Sequence, residues 1–324
     1  MDLRRLSTTI AVMASISITG LARAQAPDLE ALRRARGDEP DVRVEHEETT
    51  TLAADGKPPL KSEAWTFRTG LLSPMVRYSR YLNRPSDFAG SYPSLPNSDT
   101  GLGFDGYAWG NWYRGNAIRV LVNGRDVLAA QPATAVEWRE GGNGFLRLVW
   151  ELGEGTSLSL SVLVRPDGDG IYLRAELSPP GVPVDALQVQ LTGYPGGYGP
   201  AYGLPSHRFV ATAQQEGDVP ADYTGKAFPK LPFTAGESWA YYADRLADTG
   251  SLGLVVLPAE KPSGEVRLSS YGIQTVLCYP PGTRDVHLGL HAYTIVNSSA
   301  RQLFSEAVPA DLEALRTLSF WPER

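Results

Sequence analysis

The sequence predicts an all-β protein, built as a large antiparallel β-sandwich with short helices at its N- and C-terminal ends. Apolar and polar residues alternate over residues 157–164 and 171–177, which is the two-residue period of half-buried strands. Asn123-Gly124 stands between two further strand-like runs, and this pair favours the type I′ turn of a β-hairpin. With 42% hydrophobic residues in a chain of 324, the sequence can supply a large core.

Residues 1–24 have the organisation of an export signal. Arg4 and Arg5 precede an apolar stretch over residues 10–21, and Ala22-Arg23-Ala24 provides a small-residue cleavage site. This order predicts an exported protein, periplasmic or extracellular, and the arginine pair fits the general secretory and twin-arginine routes alike. No later apolar run is long enough for a bilayer, so no membrane span is expected in the mature protein.

Residues 25–40 are predicted to form a short N-terminal helix, since Pro27 and Asp28 mark its start and Gly37 its end. Residues 41–324 are predicted to form a single β-sandwich domain. The alternation indicates at least ten strands, and the clearest cover residues 42–47, 118–122, 125–128, 157–164, 171–177, 187–191, 252–257, 266–268 and 286–292.

Two long stretches, residues 83–117 and 193–236, interrupt this alternation of apolar and polar residues. Both are rich in Gly, Pro, Tyr, Asn and Asp, and we expect long structured loops there, where binding sites are common on a β scaffold. The C-terminal segment, residues 299–318, has helical character. Pro309 is expected to interrupt this helix, which would restart at Ala310.

The composition excludes several kinds of site. A single cysteine, Cys278, rules out a disulfide framework and cysteine-based zinc or iron–sulfur sites, and four histidines leave few metal ligands. His287 and His291 share one strand face but would stand about 13 Å apart, too far for one ion. A zinc site would need His46 or His207 beside one of them together with carboxylates, an arrangement that the sequence neither shows nor excludes. We predict no metal and no organic cofactor. The net charge of −6 and the lack of a basic stripe argue against a nucleic-acid partner.

Gly101-Leu102-Gly103-Phe104-Asp105-Gly106 matches the dinucleotide-binding pattern letter for letter. That motif requires a buried strand before it and a helix after it, so that backbone N–H groups point at a pyrophosphate. Here residues 96–100 have the composition of a loop, and residues 107–110 have no helical pattern. The match therefore predicts no cofactor site.

Aromatic residues concentrate in the two expected loops. Such rings can stack on the apolar faces of a sugar while nearby polar groups bind its hydroxyls. Local packing against a sheet edge is the other interpretation of the same residues. The aromatic residues are Phe104, Tyr107, Trp109, Trp112 and Tyr113 in the first loop and Tyr194, Tyr198, Tyr202 and Phe209 in the second, of which Trp109, Trp112 and Tyr113 are the candidates for substrate binding.

Polar residues on the predicted strands alternate with the apolar ones, so they should share the opposite face of one sheet. A surface of Arg, Glu, Gln and His offers the donors, acceptors and titratable groups that bind a polyhydroxylated ligand, although a solvated outer face has a similar composition. The residues expected on this face are Tyr172, Arg174, Glu176, Gln188, Gln190, Glu265, Arg267, His287 and His291.

The overall pattern resembles the β-supersandwich of galactose-mutarotase-like and polysaccharide-lyase-like proteins. The resemblance rests on the many antiparallel strands, the N-terminal helix and a Gly-aromatic loop, Trp112-Tyr113-Arg114-Gly115, before the hairpin that ends near Val127. It implies carbohydrate-active chemistry, with a His and an acidic residue on the concave sheet acting as acid and base. By this analogy His207, His287 or His291 would be the acid and Glu176 or Glu265 the base.

Two functions follow from these observations. The first is an exported carbohydrate-associated protein that acts on a sugar or polysaccharide by side-chain acid/base chemistry, as an epimerase or a lyase. The second is a non-catalytic sandwich that binds carbohydrate or protein through its aromatic loops. Arg174, Gln188, Gln190 and Arg267 are, with the loop aromatics, the candidates for substrate binding. A His and a carboxylate within hydrogen-bond reach of one another would favour the enzyme. The particular sugar and the oligomeric state stay open.

Overall fold

The computed structural model describes residues 41–52, 59–69, 74–82, 101–105, 111–112, 117–166, 170–179, 183–194, 208–218, 230–244, 251–268, 273–293 and 297–321. The predicted export signal and N-terminal helix lie outside these residues. Within them the chain forms two large antiparallel sheets, of eleven and nine strands, as the sequence predicts for a β-sandwich.

The strands are numbered in chain order over both sheets. The eleven-stranded sheet has the order β1-β2-β3-β4-β6-β12-β19-β18-β15, with β5 paired to β12 and β7 paired to β6. Its strands are β1 (Arg43–Thr51), β2 (Leu60–Arg68), β3 (Met75–Tyr81), β4 (Gly101–Asp105), β5 (Asn111–Trp112), β6 (Ile118–Val122), β7 (Arg125–Asp126), β12 (Leu187–Tyr194), β15 (Lys230–Phe233), β18 (Ser263–Leu268) and β19 (Ile273–Tyr279).

The nine-stranded sheet has the order β14-β13-β16-β17-β20-β11-β10-β9-β8. Its strands are β8 (Ala135–Arg139), β9 (Gly144–Gly153), β10 (Thr156–Val164), β11 (Gly170–Ser178), β13 (Arg208–Thr212), β14 (Glu216–Asp218), β16 (Trp239–Asp244), β17 (Ser251–Val256) and β20 (Asp285–Tyr293). The helices are α1 (Val127–Ala130), a 3-10 turn (Pro258–Glu260) and α2 (Asn297–Thr317). In the described part of the chain, no helix has the length and apolar character needed to cross a bilayer.

The main core lies between the two sheets. Apolar residues that alternate along each strand point inward, as Leu160 and Leu173 do from the nine-stranded sheet and Val120 and Val189 from the eleven-stranded sheet. All four side chains have no exposed surface. This burial, about 25 cal/mol for each Å² of apolar area, is the main driving force for joining the sheets.

The predicted hairpin at Asn123-Gly124 is confirmed. Asn123 has φ of 49° and Gly124 has φ of 81°, the positive values that a type I′ turn requires at both central positions. The Asn123 side chain also accepts hydrogen bonds from the backbone N–H groups of Asp185 and Ala186. The second strand is shorter than expected, because the chain turns into α1 at Val127.

The two expected long loops contain strands, so that expectation is wrong in part. Residues 83–117 include β4 and β5, and residues 193–236 include β13, β14 and β15. Phe104 and Phe209 lie in these strands and are buried, at 0% and 3% exposure, so they pack in cores and offer no stacking surface. These strands have only two to five residues, too few to show the alternating pattern that reveals longer ones.

A second core forms on the outer face of the nine-stranded sheet, where α2 packs. Phe304, Val308 and Leu315 of the helix are buried against this sheet. The ring of Phe304 lies where a side chain on Gly253 would have to go, so only glycine allows this close approach.

The expected interruption at Pro309 is wrong, since α2 is continuous from Asn297 to Thr317. Proline cannot donate a backbone hydrogen bond inside a helix, which normally favours a break. Here Val308, before the proline, and Leu315, after it, are both buried in the second core. Tertiary packing of the helix outweighs the lost hydrogen bond.

A buried polar trio joins α2 to the sheet. Asp311 of the helix is 3% exposed and accepts a 2.7 Å hydrogen bond from the hydroxyl of Tyr172. Its other carboxylate oxygen lies 2.8 Å from Nε2 of His291, which has no exposed surface. Polar groups buried this deeply are costly unless they are paired, and Asp311 is the shared partner of Tyr172 and His291.

Removal of the Asp311 carboxylate should therefore destabilise the fold strongly. Asp311→Ala leaves Tyr172 and His291 without this buried partner, and we expect the free energy of unfolding to fall by about 3 kcal/mol or more. Urea denaturation measures this loss. Glu313→Ala is the matched control, because this exposed carboxylate is two positions away on the same helix and should change stability by less than about 0.5 kcal/mol. Equal losses in both variants would contradict the role of the trio.

Candidate functional site

The outer face of the nine-stranded sheet is divided into two halves. One half, which includes Tyr172 and His291, lies beneath α2. On the other half, which we call the open half, polar side chains occupy neighbouring strands in register. One row contains Arg147, Ser161, Arg174 and His287, and the next row contains Ser159, Glu176 and Asp285.

His287 and Glu260 form a close pair at the edge of the open half. Nδ1 of His287 lies 2.7 Å from Oε1 of Glu260, and the backbone N–H of His287 donates to both carboxylate oxygens at 3.1 Å. The 3-10 turn that follows β17 brings Glu260 to β20, although the two residues are 27 positions apart in the chain. The side chains are 18% and 12% exposed, so the pair is sheltered but reachable from solvent.

Asp285 and Arg174 form a second pair beside it. Arg174 Nε and Nη2 each donate a 2.8 Å hydrogen bond to a different oxygen of Asp285, the planar fork typical of Arg with a carboxylate. Glu176 lies 3.3 Å from Arg174 Nη2, and Asp285 Oδ1 lies 3.8 Å from Nε2 of His287. The second nitrogen of His287 therefore faces this charged group.

The segment after α2 forms an aromatic border on the open half. The ring of Phe320 packs 5.3 Å from the ring of His287. The next residue, Trp321, lies against Phe145 and beneath the guanidinium groups of Arg139 and Arg147, at 4.7 Å and 5.8 Å from its centroid. Apolar ring surface and charged groups thus meet at one place.

Burial raises the pKa of Glu260, and the hydrogen bonds from His287 oppose this rise. The carboxylate is thus held by donors in a site that penalises its charge. The hydrogen bonds with Asp285 raise the pKa of Arg174, so the guanidinium stays charged. The arrangement can orient an imidazole, hold a carboxylate and offer several donors and acceptors to a ligand.

The expectation that all the polar strand residues share one sheet is wrong. Gln188, Gln190, Glu265 and Arg267 lie on the outer face of the eleven-stranded sheet, on the opposite side of the sandwich from His287. A two-residue period shows which residues share a strand face, but it does not show which sheet the strand joins. The sequence pattern therefore assigns to one surface residues that lie on two separate surfaces.

The outer face of the eleven-stranded sheet carries its own polar network. Arg119 Nη1 donates to Gln190 Oε1 at 3.2 Å, and Gln190 Nε2 donates to Gln188 Oε1 at 2.9 Å. On the neighbouring strands, Glu265 forms 2.5 Å ion pairs with Arg267 and Lys230. Glu265 is thus held by two cations and lies on a different sheet from His287.

The remaining candidates fall into two groups. His291 lies on the same strand face as His287, as expected, but it is buried beneath α2 with Tyr172 and Asp311. His207, Trp109 and Tyr113 lie outside the described residues, and for Trp112 only its backbone, in β5, is described. Among the residues that the structure describes, no three His, Cys, Asp or Glu side chains cluster as metal ligands would.

Sequence reasoning missed Glu260, Asp285 and Asp311. Glu260 follows the apolar run of residues 252–257 after a proline, a pattern that predicts a turn but not the strand which that turn meets. Asp311 faces the sheet from a helix whose partner strands lie far away in the chain. Residue alternation and turn residues report local structure only. Contacts between residues far apart in the chain, such as Glu260 with His287, require the tertiary fold.

No known family model matches the sequence, and no curated protein does so either. Solved structures do resemble the fold. The α-N-acetylgalactosaminidase NagBb from Bifidobacterium bifidum is 9% identical, with a TM-score of 0.49 over 75% of this chain and 40% of that one. A candidate aldose 1-epimerase from Klebsiella pneumoniae is 10% identical, with a TM-score of 0.47 over 85% of this chain and 96% of that one. Heparinase III is 7% identical, with a TM-score of 0.42 over 73% of this chain and 36% of that one.

This chain thus spans about 40% of the length of NagBb. The structures found agree with the galactose-mutarotase-like and polysaccharide-lyase-like resemblance expected from the sequence. At these identities and TM-scores the similarity concerns the fold alone. It assigns no activity, substrate or residue role to this chain.

The raised pKa of Glu260 predicts a pH-dependent contribution to stability. Because its pKa in the folded protein lies above the unfolded value of 4.5, its contribution is fully present below that pH and is lost as the pH rises through the folded pKa. Glu260→Gln cannot titrate. The free energy of unfolding of the parent minus that of the variant should therefore decrease as the pH rises above 4.5. Urea denaturation over a pH series measures this difference, and parallel pH profiles for the two proteins would contradict it.

Proposed function

We propose that this protein is a carbohydrate-active enzyme that uses His287 as its acid and base, oriented by Glu260. The observation that supports this most directly is the 2.7 Å separation of His287 Nδ1 and Glu260 Oε1. A carboxylate on one ring nitrogen fixes the tautomer and leaves the other nitrogen to move protons. His287 combines that arrangement with partial exposure, while His291, the other described histidine of β20, is fully buried.

The proposed chemistry needs only this side chain to carry the proton. Nε2 of neutral His287 accepts the proton of a sugar hydroxyl, and an ionised Glu260 stabilises the imidazolium that results. In an epimerisation at the anomeric carbon, the imidazolium returns the proton to the ring oxygen as the C–O bond breaks and an aldehyde forms. Closure of the ring on the other face, with the transfers reversed, gives the second anomer. In the lyase variant, Nε2 takes a proton from the carbon beside a carboxylate, the neighbouring C–O bond breaks as a C=C bond forms, and the imidazolium gives its proton to the departing oxygen.

The surroundings of His287 support a sugar as the substrate. Arg174 and Asp285 offer charged donors and acceptors beside Nε2, at the spacing of a hydrogen-bonded fork. Trp321 places partly exposed ring surface near the same site, while Phe320, at 2% exposure, supports the ring of His287 from below and offers no stacking surface. A pyranose has a hydroxylated rim and apolar C–H faces, so this mixture matches both parts of its surface.

Substitution of His287 tests the proposal. A screen of the full chain against simple sugars, with anomer exchange followed by NMR, and against acidic polysaccharides, with unsaturated products followed by absorbance, first identifies a substrate. His287→Gln should then lower kcat by about 10² to 10⁴ while KM changes little, because the general acid/base is lost and the hydroxyl contacts remain. Arg174→Lys should chiefly raise KM, since lysine cannot reproduce the fork.

The comparison requires that each variant melts at the parent temperature. Glu313→Gln serves as the control, because this exposed carboxylate of α2 should leave both constants unchanged. A stable His287→Gln variant with full activity would contradict the assignment and leave His207 as the next candidate.

The second candidate function is non-catalytic carbohydrate binding on the outer face of the eleven-stranded sheet. The continuous chain of hydrogen bonds from Arg119 through Gln190 to Gln188 favours it, because such planar groups bind pairs of sugar hydroxyls. Arg267 lies on the same face, and Trp109, Trp112 and Tyr113 stay predicted substrate contacts. Loss of sugar binding in Gln190→Ala but not in His287→Gln would favour this function over the first.

We further propose that the protein is exported after removal of residues 1–24. The charged start, apolar middle and small-residue site occur in the required order. Sequencing of the exported protein should find Gln25 at its N-terminus. Recovery of an exported chain that begins at Met1 would contradict cleavage.

A further inference from the structure

One end of the sandwich contains a cavity of about 260 Å³ that neither proposed sugar site uses. It opens between the β6–β7 hairpin of one sheet and the β9–β10 hairpin of the other. At roughly 30 Å³ for an atom of the size of water, the cavity has room for about eight or nine non-hydrogen atoms. The apolar part of its wall is formed by Val122, Val127, Leu152, Leu177 and Val184.

The cavity also has specific polar groups. Thr156 lines the wall at 5% exposure, and its hydroxyl has no hydrogen-bond partner among the described residues. A buried hydroxyl without a partner is destabilising, and a ligand that supplies the partner removes this cost. Arg125, Arg284 and Glu154 also line the cavity, so it has two cationic groups and one anionic group.

The walls are held in place by hydrogen bonds that do not involve a ligand. The Asn123 side chain accepts from Asp185 and Ala186 N–H, and Val184 O accepts from Gly282 N–H, which holds the loop that carries Val184. On the facing side, Leu177 N–H donates to Arg284 O. The cavity is therefore preformed, which is typical of small-molecule sites.

We propose that this cavity binds a small organic acid with an apolar body. The aliphatic part of the ligand occupies the space between Val127 and Leu177, and its carboxylate binds the guanidinium groups of Arg125 and Arg284. The hydroxyl of Thr156 donates to the same carboxylate or to a polar atom beside it. A ligand of six to eight non-hydrogen atoms matches the volume, and the excess of cations over Glu154 favours an anion over an amine.

Calorimetric titration of the full chain with hexanoate tests this inference, with hexanol and acetate as comparison ligands. Hexanol keeps the apolar body without the charge, and acetate keeps the charge without the body. We expect hexanoate to bind with one site per chain and both comparison ligands to bind at least about tenfold more weakly, since each lacks an interaction worth 1.4 kcal/mol or more.

Variants locate the binding. Arg125→Gln with Arg284→Gln should weaken hexanoate binding about tenfold or more, while Arg68→Gln with Arg316→Gln, an equal loss of charge at exposed positions, should not weaken it. Thr156→Val should weaken binding and also raise the melting temperature, because it removes a buried hydroxyl that has no partner. This variant keeps the volume of the side chain, so it tests the site even if the double variant is unstable.

Three results would overturn the inference. They are no binding of hexanoate to the parent chain, equal binding of hexanol, and unchanged binding in both the Thr156→Val and the double arginine variants. Loss of the sugar activity proposed above would leave this inference intact, because the cavity shares no residue with His287 and its neighbours.

Discussion

The nine-stranded sheet must bury apolar surface on both of its faces, and the rest of the structure depends on how it does so. The inner face packs on the eleven-stranded sheet, as in any sandwich. Part of the outer face is apolar as well, with Leu163 and Val255 fully buried, and it requires α2 as a cover. The trio of Tyr172, His291 and Asp311 fixes where the helix lies, because in that position Asp311 accepts from the Tyr172 hydroxyl and lies 2.8 Å from His291 Nε2.

Much of the fold could be predicted from the sequence, because burial of one strand face makes apolar and polar residues alternate along the chain. The strands around residues 157–164 and 171–177 and the Asn123-Gly124 turn follow directly from that period and from backbone sterics. The pairing of strands could not be predicted in this way. β6 pairs with β12 and β12 with β19, so neighbours in the sheet are far apart in the chain. This is why Gln190 and His287 were expected on one surface and lie on two.

The two histidines of β20 show where prediction of the candidate site stops. His287 and His291 are four residues apart and share a face, so the local sequence treats them alike. His287 is a partly exposed partner of Glu260, and His291 is a fully buried partner of Asp311. The difference comes from a turn 27 positions earlier in the chain and from a helix that follows the strand. The chemistry of each histidine depends on its exposure to solvent and on the groups packed against it, and both are set by the tertiary fold.

Docking of α2 and the environment of His287 are physically linked. The helix that Asp311 fixes to the sheet ends at Thr317 and is followed by Phe320 and Trp321. The ring of Phe320 packs on the imidazole of His287, and Trp321 lies beneath Arg139 and Arg147. β20 carries both histidines, so the strand that anchors the helix also presents the proposed acid/base group. A shift of the helix would move the aromatic border away from His287 and change its exposure. The buried trio therefore stabilises the fold and positions one wall of the candidate site at the same time.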